Sequence, residues 1–225
     1  MATQALIFDM DGTMIDSMPY HAQSWLLFAK LHGLTIDLPD LMAKTTGRTG
    51  HECIEILLGR HVEKTEALAL IAQKEMAYRD LFGPQFREVA GFKRFAAEAL
   101  QKGFKLGIGT AGDQHNIAFA MKHLAMPASI AIEAIVGGDQ GFSGKPQPAI
   151  FLEVARLLNV KPADCIVFED APFGIEAAKR AGMKAVAITT THNAAELSGE
   201  HVIAHAANFE LLLTQHFLAQ SFLQR

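Results

Sequence analysis

Cysteine is scarce. Only Cys53 and Cys165 occur in 225 residues, and they lie far apart. They match no metal-binding or redox spacing, so they read as reduced core residues of a cytoplasmic protein. There is no basic run and the formal net charge is −4, so no nucleic-acid partner is expected. No apolar run is long enough to cross a bilayer, and no membrane association is expected. The start carries no Lys or Arg, and its apolar run gives way at once to acids, unlike a secretory signal. Internal repeats and low-complexity segments are missing as well. What remains is 50% hydrophobic and 20% charged, enough apolar residue for a real core. The length suits one large domain or a domain carrying an insertion.

The most informative stretch is Leu6-Ile7-Phe8-Asp9-Met10-Asp11-Gly12-Thr13. The apolar run from Ala5 to Phe8 has the length of a buried strand. Buried parallel strands read as continuous apolar runs, and ligands bind beyond their carboxyl ends. Asp9 falls where such a strand would stop. In extended backbone Asp11 would point to the same side. At ~4 Å and an effective dielectric near 20, two carboxylates repel by roughly 4 kcal/mol. A bound divalent cation, a shared proton or solvation would each relieve this. The plain alternative is a solvated turn after a strand.

Pro19 suits the first turn of a helix over 19–32, with Gly33 as its stop. Between there and about residue 83 no stretch reads as a buried strand. Helices are predicted near 51–58 and 63–82. From Gly91 onward strands and helices alternate. The pattern predicts helix 92–102, strand 104–109, helix 114–124, a short apolar stretch at 130–136, helix 148–158, strand 165–168, helix 173–181 and strand 185–189. Such alternation implies a doubly wound α/β parallel sheet. The expected architecture is an α/β core, residues 1–16 and 87–225, interrupted by a helical insertion, residues 17–86. The stretch 209–223 is apolar on more than one face. It is read as a helix docked on the core of a monomer, with a weak dimer contact as the alternative.

Polar groups collect at the strand ends. Thr110 ends one predicted strand and Glu169-Asp170 another, while Lys145 lies in Gly144-Lys145-Pro146-Gln147-Pro148, just before a helix. In this fold the strand ends share one edge. Four carboxylates, one hydroxyl and one ammonium would meet there. Oxygen ligands without His or Cys suit Mg²⁺, and a Lys with a hydroxyl suits phosphoryl oxygens. Singly, each has a plainer reading. Thr110 could be a strand-end cap, Lys145 a surface residue, and Glu169-Asp170 an acid pair complementing a helix dipole.

As an ordered set, Asp9-Met10-Asp11-Gly12-Thr13, Thr110-Ala111-Gly112, Lys145-Pro146 and Glu169-Asp170-Ala171-Pro172-Phe173-Gly174-Ile175 resemble the four motifs of the haloacid dehalogenase (HAD) superfamily. The insertion resembles its helical C1 cap. Gly-Lys-Pro-x-Pro with Phe-Glu-Asp is similar to the β-phosphoglucomutase-like branch. The resemblance implies that Asp9 is a nucleophile forming an aspartyl-phosphate and Asp11 the general acid/base. It implies Mg²⁺ held by Asp9, the Asp11 carbonyl and Asp170, with Glu169 assisting. Thr110, Ala111, Gly112 and Lys145 would surround the transferring phosphoryl group. The second Asp, Asp11, argues against the dehalogenases, which lack it.

Three residues of the insertion are softer candidates for substrate contact. Arg48 sits between glycines in Gly47-Arg48-Thr49-Gly50, which resembles the mutase's specificity loop. His21 and Lys74 fall where the mutase has a hinge-side His and a cap Lys. Each has an ordinary alternative, namely a solvated Arg, a His satisfied at a helix start and a Lys on a helix face. The expected function is a Mg²⁺-dependent phosphatase of a small phosphorylated metabolite, such as a sugar phosphate. A phosphomutase is the nearest alternative, and a regulatory binding protein without turnover a more distant one. A phosphonatase is disfavoured, because no Schiff-base lysine context matches.

Overall fold

The computed structural model describes residues 4–220. Six parallel strands form its sheet in the order β3-β2-β1-β4-β5-β6. They are β1 (Ala5–Phe8), β2 (Lys105–Gly109), β3 (Ala134–Val136), β4 (Cys165–Glu169), β5 (Lys184–Ile188) and β6 (Val202–Ala206). β1 is central and pairs on both sides, with Phe8 opposite Ile108 and Phe168. Strand alternation divides the core into two faces. Leu6, Phe8, Leu106, Ile108, Ile166 and Phe168 pack on one face. Ala5, Ile7, Cys165, Val167, Ala185 and Ala187 pack on the other. The first face meets α5 (Phe92–Gln101), α6 (Gln114–Leu124) and α9 (Phe209–Thr214). The second meets α7 (Ala149–Leu157) and α8 (Pro172–Arg180). Phe8 stacks on Phe168 at 4.8 Å and meets Phe92 edge-on at 5.3 Å, which packs the sheet centre densely.

Four helices lie between β1 and α5: α1 (Met18–Leu31), α2 (Leu38–Thr45), α3 (Gly50–Leu58) and α4 (Lys64–Phe82). Trp25, Phe28, Leu41, Cys53, Ile54, Val62 and Ala67 bury a small apolar cluster of their own. Tyr78 and Phe82, at the far end of α4, instead join the main core. The chain leaves and re-enters the sheet side by side. Ile15 bridges Glu88 antiparallel, the Asp16 amide donates to the Arg87 carbonyl at 3.1 Å, and the Val89 amide donates to the Met14 carbonyl at 3.0 Å.

Two elements escape the sequence reading. α2 starts with Asp37 capping the Asp40 amide at 3.1 Å and Pro39 in the first turn, both ordinary start signals. β6 is a half-exposed edge strand containing His205, so it lacks a buried strand's unbroken apolar run. The helix expected over 209–223 is shorter. α9 ends at Thr214, and a 3₁₀ turn, Phe217–Ala219, follows. Phe209, Leu212, Phe217 and Leu218 all bury against the core, while residues 221–223 lie outside the described residues. No helix among the described residues is long and apolar enough to cross a membrane.

Candidate active site

One residue beyond the paired row Phe8–Ile108–Phe168 the backbone reaches Asp9, Gly109 and Glu169, and the next residues are Thr110 and Asp170. The register therefore gathers the acids at the sheet's centre, where strand order reverses. A cavity of about 800 Å³ opens there, between the sheet edge and the inserted helices. Asp9, Asp11, Thr110, Ala111, Gly112, Glu169, Asp170, His21, Arg48 and Lys74 all line it.

Lys145 does not line it. Its side chain is 0% exposed and stands behind Asp9, donating to Asp9 Oδ1 and, at 2.6 Å, to Glu169 Oε1. An ammonium out of water needs such partners. Burial alone would lower its pKa, but the Asp9 and Glu169 carboxylates outweigh burial and hold it above the ordinary lysine range. Glu169, expected to assist a metal, has both oxygens engaged. Oε2 accepts the amides of Asp170 and Ala171, each at 2.8 Å, at the start of α8. Gly174 makes room for this, since a Cβ there would lie 1.8 Å from Glu169 Oε1.

Asp170 is 1% exposed. Its Oδ1 accepts from Thr13 Oγ1 at 3.2 Å, and its Oδ2 is buried with no hydrogen-bond partner. Burial, and then the charge of Glu169, push its pKa up to about 8. Burial likewise pushes Asp9 well above the carboxylate range, against the opposing pull of Lys145. Gly12, at φ +77°, leaves space beside Asp170, where a Cβ would come within 2.1 Å of Oδ2. Three buried carboxylates thus share one ammonium, and Asp170 Oδ2 has only the Thr191 hydroxyl beside it, without a well-formed hydrogen bond. That excess of hard oxygen charge fits a small divalent cation. Among the described residues, no three His, Cys, Asp or Glu side chains already converge as a metal cluster. Asp9 and Asp170 are the acids that could hold such a cation.

Asp11 faces the inserted helices. Its Oδ1 accepts from Ser17 Oγ at 2.7 Å, His21 Nε2 at 3.0 Å and Tyr78 Oη at 3.2 Å. Ser17 occupies the N-cap position of α1, yet its hydroxyl serves Asp11 rather than the helix. Behind His21, Lys74 Nζ donates to Nδ1 at 2.7 Å and to Glu75 Oε1 at 2.9 Å. An ammonium can only donate, so Nδ1 is the acceptor and Nε2 carries the proton toward Asp11. The His21 ring stacks on Tyr78 at 3.8 Å. Burial acts to raise the Asp11 pKa, but His21, Ser17 and Lys74 together hold it below the usual value. His21 and Lys74 are thus joined in one chain ending on Asp11, and Lys74 is only 3% exposed.

Arg48 precedes α3, whose start is a capping box between Thr49 and Glu52. Its guanidinium lies over the Phe173 ring at 4.6 Å, Nε donates to the Lys44 carbonyl at 2.9 Å, and Nη1 is 3.6 Å from Glu52 Oε1. Thr110 is buried and accepts the Gly112 amide at 3.0 Å. Sequence reasoning quoted Thr13 within the first motif but gave it no role, and it missed Ser17, Tyr78, Glu75, Arg79 and Asn116. Of these five only Glu75 carried a signal, as an acid beside the candidate Lys74.

The haloacid dehalogenase-like hydrolase family model matches residues 3–182. The chain belongs to that family. It is 32% identical over 203 residues to the validoxylamine A 7'-phosphate phosphatase of Streptomyces hygroscopicus subsp. limoneus, covering 88% of this chain and 91% of that one. It is 33% identical over 195 residues to the β-phosphoglucomutase of Bacillus subtilis, covering 82% and 83%. The crystal structure of a hydrolase from Pseudomonas syringae superposes with a TM-score of 0.84 at 22% identity, covering 96% and 99%, and supports the fold alone. This family member is an enzyme of the phosphoric monoester hydrolase type.

Proposed function

We propose that this chain hydrolyses the phosphate ester of a small carbohydrate-like metabolite through an aspartyl-phosphate on Asp9, with Mg²⁺ as cofactor. The observation carrying the proposal is Asp9 itself. It ends the central strand, is backed by buried Lys145 and opens onto the cavity beneath the inserted helices. An Asp9 oxygen attacks phosphorus, and the bond from phosphorus to the leaving oxygen breaks. That oxygen takes a proton from Asp11, which must first gain one, and an incoming phosphoryl group's negative charge favours this. Asp11 then accepts a proton from water, whose oxygen displaces Asp9 and frees inorganic phosphate. Lys145 holds Asp9 in place, and Thr110 with the amides near Ala111 and Gly112 surrounds the phosphoryl oxygens. Mg²⁺, held by Asp9, Asp170 and the Asp11 carbonyl with Glu169 in support, would supply charge neutralisation for the transferring group.

Residues 17–86 act in this reading as a cap that closes the cavity and selects the leaving group, Arg48 included, while residues 1–16 and 87–225 carry the chemistry. The chain acts on small molecules without a nucleic-acid or membrane partner. Support for a carbohydrate-like substrate comes from the two relatives, one a phosphatase and one a mutase of phosphorylated compounds. The mutase remains the second reading, since the Asp11–His21–Lys74 chain could activate a sugar hydroxyl as readily as water and serves either reaction. A panel of phosphorylated sugars with Mg²⁺, scored for both released phosphate and isomerised ester, separates them. Phosphate release without isomer supports the phosphatase. Isomer accumulating ahead of phosphate replaces it with the mutase.

A further inference from the structure

The cavity contains a cation with no role in the reaction above. Arg79 is half-buried near the end of α4 and lines the cavity wall. Lys64 also lines the cavity but is exposed at the start of α4, and the remaining lysines and arginine at the centre are already matched. Lys145 faces Asp9 and Glu169, Lys74 faces Glu75, and Arg48 lies beside Glu52. Among the described residues, no carboxylate lies within ion-pair distance of Arg79, although Glu75 sits one helical turn earlier on the same face. At i, i+4 an Arg and a Glu ordinarily pair. Asn116 of α6 keeps them apart. Its Nδ2 donates to Glu75 Oε2 at 2.7 Å, and its Oδ1 accepts from Arg79 Nη1 at 2.7 Å. A carboxylate can only accept and a guanidinium only donate, so the amide's orientation is fixed. Asn116 is 2% exposed and anchored in turn, its own amide donating to Asp113 Oδ1 at 2.8 Å. The result is a guanidinium held at one corner from the core helix, un-neutralised, with its remaining donors uncommitted.

We propose that Arg79 anchors a second oxyanion, a carboxylate or a second phosphoryl group, on the leaving group of the substrate. The inference rests on the phosphatase reading and deepens it. A guanidinium presents parallel donors that match such a group in a two-pronged bond. The first phosphoryl group is consumed at Asp9, so the second charge belongs to the part of the substrate that departs. The competing role for Arg79 is a fastener across the seam between α4 and α6.

The test compares substrates matched except for that charge, with Mg²⁺ present. Glucitol 6-phosphate is set against 6-phosphogluconate, and fructose 6-phosphate against fructose 1,6-bisphosphate, with p-nitrophenyl phosphate as a generic ester. The wild type should favour the doubly charged member of at least one pair by about tenfold or more in kcat/KM. The pair that shows the preference identifies the oxyanion. Arg79→Met, which keeps the apolar stem, should bring that ratio to within about threefold. Arg79→Lys should keep part of it, and Asn116→Ala should weaken it. Turnover of all the esters with no preference in either pair overturns the proposal, as does a preference that survives Arg79→Met. Equal losses on every ester mark Arg79 as a fastener. If no ester is hydrolysed, the phosphatase reading fails instead. The anchor is then judged on the Asp9→Asn protein by unfolding temperature. Greater stabilisation by a doubly charged ester than by its partner supports the anchor, provided Arg79→Met removes the difference. Equal stabilisation rejects it.

Discussion

Asp9 and Gly174 show what single positions demand. Asp9→Asn keeps the shape but removes the attacking charge, so turnover should vanish while the unfolding transition stays cooperative. Phosphate release at the wild-type rate would exclude Asp9 as nucleophile. Gly174 is a packing constraint, because any Cβ there strikes the Glu169 carboxylate, which Lys145 and two amides hold in place. Gly174→Ala should cost about 1–3 kcal/mol, as overpacking of a tight site does, read from urea unfolding. An unchanged midpoint would mean that Glu169 moves freely. At this scale the sequence was informative wherever a residue was tied to a strand end. Asp9, Thr110, Glu169 and Asp170 could be placed because strand register determines where they emerge. Lys145 was placed at the site, yet its full burial behind Asp9 was not foreseeable, since it depends on loop geometry. Ser17 and Tyr78 were illegible, being ordinary residues until Asp11 turns toward them.

Among the elements, α4 contributes most to the cavity, and the loop between α2 and α3 brings Arg48 to its rim. If that loop selects the leaving group, Arg48→Ala should lower kcat/KM on the preferred sugar phosphate by roughly one to two decades more than on p-nitrophenyl phosphate, the worth of one charge-assisted contact. Equal losses on both would assign Arg48 to folding or to phosphoryl transfer. The periodic helices and apolar strands were readable because period and end signals agreed. α2 was missed although Asp37 and Pro39 mark its start, because its eight residues offer little periodicity. Arg79 escaped notice for a different reason. Nothing in a single helix tells that Asn116 of a distant helix will part it from Glu75.

Charge balance and chain order belong to the whole molecule. Without metal, Asp9 and Asp170 hold protons well above the range of an unfolded chain, Asp170 to about 8. A raised acid favours the folded state below its unfolded pKa and loses that advantage as pH rises toward the folded value. Mg²⁺ must displace those protons, so it should bind better as they leave. The rise in unfolding temperature on adding Mg²⁺ should therefore be larger at pH 8.5 than at pH 6, measured by calorimetry with EDTA controls. A shift that is equal or smaller at pH 8.5 would remove these two acids from the metal site. The sheet's order has a consequence in time. β1 is made before both of its neighbours, β2 and β4, and Phe8 meets Phe168 only after that residue has been made. At about 5–20 residues per second, the ribosome takes roughly 8–30 s to cover the interval. β2 can pair one edge of Ala5–Phe8 about a hundred residues after it is made, but for the rest of that period the other edge and the Phe8 ring face wait uncovered for β4.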